Sequence, residues 1–99
     1  MTMKKEEIIQ KMQEQLDDLN YRWSVERNKW EAQAQKSGAE AKKKFDKEIE
    51  QLRSLRRQMK EKIANLEVAG DNAWYDVKEG AENAWKELSE AFKKARSRF

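Results

Sequence analysis

Large apolar residues return every three or four positions along this chain, and no proline stands anywhere in its 99 residues. That spacing keeps side chains on one face of an α-helix turn after turn, whereas a strand needs a period of two. With only three glycines to break the pattern, the helices must be long.

Two heptad seams can be read. The first runs through Ile9, Met12, Leu16, Leu19, Trp23 and Trp30, with Glu26 filling the one gap. The second runs Phe45, Ile49, Leu52, Arg56, Met59, Ile63, Leu66, and it is out of phase with the first. Between them lies Ser37-Gly38, a plausible helix end. A hairpin folded there sets Ile9 against Leu66, Met12 against Ile63, Leu16 against Met59, Trp23 against Leu52 and Trp30 against Phe45. Only the Leu19–Arg56 and Glu26–Ile49 layers mix apolar with polar, and Arg56 and Glu26 are close enough in register to be expected as a pair. The hairpin is the favoured reading. The alternative is one long parallel coiled coil that absorbs the phase slip as a stutter.

A different period governs the C-terminal third. Asn72-Ala73-Trp74 returns as Asn83-Ala84-Trp85, eleven residues later. Eleven residues are three turns of a nearly undistorted helix. Trp74, Val77, Ala81, Ala84, Trp85, Leu88, Phe92, Ala95 and Phe99 therefore share an arc of about 100°. The eleven-residue register also extends back to Ile63 and Leu66, which leaves open a continuous helix across both segments. Gly70 as a helix stop and Asp71 as an N-cap favour a break.

The fold class expected is all-α: an antiparallel helical hairpin (coiled coil) followed by a third amphipathic helix with the eleven-residue repeat. Helices are predicted near 4–36, 39–69 and 72–97. The hairpin occupies 1–69 with its break at 37–38, the aromatic helix occupies 70–99, and the whole is one domain. Its seam is Ile9, Met12, Leu16, Trp23, Trp30, Phe45, Leu52, Met59, Ile63 and Leu66.

Composition narrows the function. The chain is 41% charged, and its 22 basic and 19 acidic side chains nearly cancel. The balance shifts along the sequence: residues 37–66 carry +4, residues 67–92 carry -5, and residues 93–99 return to +4. Acids early and bases late in the third helix complement the helix macrodipole. His and Cys are both absent, which removes the usual nucleophile–base pairs and most transition-metal ligand sets. The carboxylates are interleaved with Lys and Arg as on a solvated helix surface. Neither a phosphate-binding glycine loop nor a calcium loop is present. The chain is thus expected not to be an enzyme, with no catalytic residues, cofactor, metal or small-molecule substrate. No secretory leader is visible at the N-terminus, and cytoplasmic residence is the expectation.

Three kinds of partner remain. Basic residues of the second helix, Lys42 and Arg53 among them, are interrupted by Asp46, Glu50 and Glu61, so nucleic acid is not expected. A membrane surface is the alternative, because the third helix joins aromatic residues to a basic end. The acidic polar face through residue 90 opposes that reading. Protein is the leading expectation, as a homo-oligomer or a larger complex. The residues expected to meet it are Trp74, Val77, Ala81, Trp85, Leu88, Phe92 and Phe99. Trp74 is assigned to the base of the hairpin of the same chain, and Trp85 with the end of the helix to the partner.

The doubled Ala-Trp at 73–74 and 84–85, the following Leu88 and Phe92, and the Ser97-Arg98-Phe99 ending resemble the tail of small bacterial coiled-coil stress-response proteins, known best from cyanobacteria. The likeness covers residues 69–99. It implies a non-enzymatic, stress-induced cytoplasmic protein.

Overall fold

The computed structural model describes residues 4–98, and Phe99 lies outside them. Three helices follow one another: α1 over Lys5–Lys36, α2 over Ala39–Val68 and α3 over Trp74–Arg98. No strand is present among the described residues. The helices form an elongated up-down-up bundle of 51 × 19 × 18 Å. The Ser37–Gly38 end is its tip, and the end holding Lys5, Val68 and Trp74 is its base.

Sequence chemistry sets each boundary. Glu6 and Glu7 open α1 and Lys36 closes it, which suits the helix dipole. Ser37 ends the helix, its hydroxyl donating to the Gln33 carbonyl at 2.9 Å. Gly38 then takes φ 104° and ψ 177°, a conformation that costs a side-chain-bearing residue about 1–3 kcal/mol. Its carbonyl already accepts from the Lys42 amide at 3.1 Å, so Gly38 ends one helix and begins the next. The continuous-helix alternative across 37–38 is therefore not adopted.

The second break forms differently from expectation. Gly70 adopts no positive φ; instead Ala69 turns the chain out in an extended conformation, ψ 130°. Ala73, not Asp71, receives the first α3 bond, from the Val77 amide at 3.0 Å. Asp71 is drawn away by Lys5 at the start of α1, with which it forms an ion pair. That hydrogen bond and the ammonium charge hold the Asp71 carboxyl below the usual carboxylate range.

Three side-chain pairs fix the direction of α1 and α2. Gln13 Nε2 donates to Glu67 Oε1 at 2.7 Å, Arg56 Nε donates to Asn20 Oδ1 at 2.6 Å, and Lys42 lies 3.5 Å from Glu31. Numbers rise on one helix as they fall on the other, so the two are antiparallel. The core runs the length of the bundle. Every expected seam residue is buried except Ile9, which packs at its edge. Leu52, Met59, Leu66 and Leu88 are the largest side chains wholly withdrawn from solvent, each stabilising the fold by ~1.5–3 kcal/mol. α3 lies chiefly on α2 and reaches α1 at the tip. There Trp30 stands between Trp23 (5.8 Å, edge to face) and Phe92 (5.4 Å, tilted).

Candidate interaction surface

The third helix turns most of its expected partner face inward. Trp74, Ala81, Leu88 and Phe92 are buried against the hairpin of the same chain. Assigning Ala81, Leu88 and Phe92 to an outside partner is corrected accordingly: a hairpin of two thin seams leaves a trough along α2 that this stripe fills. Val77 and Trp85 are only partly covered. Trp74 sits at the base, as expected, with the Lys5 ammonium 5.2 Å from its ring centre.

Trp85 owes its exposure to what lies opposite. α3 covers α2 closely, but along α1 it meets Gln15, Asp18 and Arg22, whose polar ends hold the helices apart. The result is a groove of about 410 Å³ between α1 and α3. Leu19, Phe92 and Trp85 give it apolar walls, and Lys93 and Arg96 line it towards the tip. Arg22 is held by Asp18 at 3.2 Å and Arg96 by Glu26 at 3.5 Å.

Glu26 thus pairs with α3, not with Arg56 as the heptad register suggested. Arg56 turns to Asn20 and lays its guanidinium over Trp23, 5.4 Å from the ring centre. Partial burial, with Arg53 nearby, lowers its pKa from the ordinary arginine value. Arg98 closes the tip by pairing with Glu48 on α2. Glu26, which fills the gap in the first seam, and Glu48, beside the second, receive the basic end of α3. The sequence signal was available: residues 93–99 carry +4, and Glu26 interrupts an apolar seam.

The lipid-binding alternative drew on Trp74, Trp85, Phe92 and Phe99. Two of these are buried within the chain, so α3 would have to leave the hairpin to present them together. No helix among the described residues is long and apolar enough to cross a membrane. Comparison with protein-family models, with curated proteins and with solved structures gave no match.

Proposed function

We propose that the chain is a non-enzymatic helical interaction protein that docks a protein partner through the groove between α1 and α3. The observation that carries this reading is the partly exposed ring of Trp85, which with Leu19 and Phe92 forms the apolar part of an otherwise polar cleft, on a molecule whose other tryptophans are buried. A large, rigid aromatic at the centre of a cleft is the kind of anchor that dominates protein interfaces. The tail's resemblance to bacterial stress-response proteins extends the proposal to a cytoplasmic, stress-linked role.

A photocrosslinker placed at position 85 in the native cell should capture a protein. Trp85→Ala should weaken binding of that protein roughly 30-fold or more while the chain stays helical by circular dichroism. Undiminished binding by Trp85→Ala would sink the reading. Co-sedimentation with anionic vesicles that disappears in Trp85→Glu would replace it with the membrane alternative.

A further inference from the structure

α1 and α3 run in the same direction, and the cleft that holds Trp85 lies between them. α3 rests chiefly on α2. Two helices held apart over a third leave the seat that a further helix takes in a four-helix bundle. A cleft of about 410 Å³ admits side chains but not a whole helix, whose diameter is ~10 Å. An occupant therefore rests on both rims and sends apolar groups down to Leu19, Trp85 and Phe92. Val25 is 49% exposed and stands one heptad beyond Asp18, which lines the cleft. It continues the apolar contact along the α1 rim towards the tip.

From Trp85 to the tip, the uncommitted charge of the cleft has one sign. The carboxylates there are Asp18 and Glu26, and each is already held by a base of the same cleft, Arg22 at 3.2 Å and Arg96 at 3.5 Å. The other acids of this half face elsewhere. Asp17 lines the α1–α2 side, Glu31 pairs with Lys42 of α2, and Glu87 and Glu90 line the α2–α3 side. Lys93 lines the cleft, Lys86 stands one heptad below it, and Lys29 stands one heptad beyond Arg22. All three lysines are exposed, and among the described residues none of them takes part in an ion pair. Towards the base the signs mix, Glu14 and Glu82 standing beside Lys11 and Lys78.

We propose that the occupant of this cleft is an acidic amphipathic helix of another protein, packed on α1 and α3 as a fourth helix. Its apolar stripe covers Leu19, Trp85, Phe92 and Val25, and its carboxylates meet Lys29, Lys86 and Lys93. Such an occupant presupposes the Trp85 groove as the docking site. A helix satisfies its own backbone hydrogen bonds, whereas an extended peptide needs partners along its length. The only uncharged polar side chains lining the cleft are Gln15 and Ser89. A second copy of this chain has no free helix to offer, because all three bury their apolar stripes in their own core. Carboxylates set against the lysines give the contact orientation and salt sensitivity.

Display selection on the full chain, from random peptides of about 20 residues, tests it; as a helix such a peptide spans ~30 Å. Recovered peptides should carry apolar residues at helical spacing with Asp or Glu beside them, and should gain helicity on binding by circular dichroism. Lys86→Glu with Lys93→Glu changes two exposed, unpaired side chains. The double variant should stay helical and bind these peptides roughly tenfold more weakly or worse. Exchanging the peptides' acids for Lys should restore binding to the double variant and abolish it to the wild type. Peptides that bind extended, peptides without acidic residues, or indifference to the charge reversal would overturn the proposal. So would a selection that recovers no helix, or anionic vesicles that bind through Lys86 and Lys93 where no peptide does. If the peptides recovered are not acidic helices but still require Trp85, the groove reading stands and only its occupant is wrong. Acidic helices that bind Trp85→Ala undiminished would remove the groove reading as well.

Discussion

Trp74 and Trp85 sit in identical tripeptides, three helical turns apart, and end in different surroundings. Trp74 is 6% exposed under the Lys5 chain, whereas Trp85 is only partly covered. The helix presents both rings in nearly the same direction, so the difference comes from what stands across from them. Near the base α1 offers Ile8, which packs against the core. One and two heptads on, the corresponding positions are Gln15 and Arg22. A repeat in one helix thus sets direction, and the neighbouring helix decides burial.

The largest expected effect separates these two sites. Trp74→Ala should cost about 3–5 kcal/mol of stability, as large-to-small changes of buried aromatics do. Trp85→Ala should cost clearly less, about 1–2 kcal/mol, because part of its area already meets water. Urea unfolding of the two variants measures both. Equal losses would mean that the groove closes over Trp85 in solution and would erase the contrast.

Glycines sharpen the same comparison at an intermediate scale. Gly80→Ala, between the two tryptophans, should stabilise α3 by about 0.5–1 kcal/mol, since an added methyl meets only the flexible Lys62 ammonium at 3.9 Å. Gly38→Ala has open space around it but φ 104°, and should destabilise by about 1–3 kcal/mol. Thermal unfolding should move the two midpoints in opposite directions.

The smallest effect lies at the base. Asp71 has its pKa lowered by Lys5, so its pairing stabilises the fold above the ordinary aspartate pKa. That contribution fades as pH falls through the lowered folded value. Asp71→Asn should slightly lower the midpoint at neutral pH and leave it unchanged in strong acid. A variant no less stable than the wild type at neutral pH would show the pair to be energetically neutral, as many exposed pairs are.

Most of the architecture was legible in the sequence, because apolar spacing and the Ser37-Gly38 break are local signals. The helix limits fall within two residues of expectation, and Ile9 alone of the seam lies at the edge of the core. What escaped was the destination of polar groups. Heptad register sets Glu26 near Arg56 because it describes two helices, and Arg96 arrives from a third. Local capping chemistry makes Asp71 a cap, while the Lys5 that claims it is distant in sequence. The burial of Leu88 and Phe92 was missed for a related reason: periodicity reveals that a face is apolar but carries no information about which surface will cover it.

The shortness of the two connections has a kinetic consequence. A two-residue turn joins α1 to α2, and five residues join α2 to α3, so neighbouring helices can zip outward from each turn with little loop to close. Chains built from such near-sequence contacts fold in microseconds to milliseconds. The contacts between α1 and the chain beyond α2 are the exception, Trp30 with Phe92 and Glu26 with Arg96 towards the tip and Lys5 with Asp71 and Trp74 at the base, since they must wait until both turns have formed. Completion of folding is therefore registered where α1 meets the chain beyond α2, at both ends of the bundle.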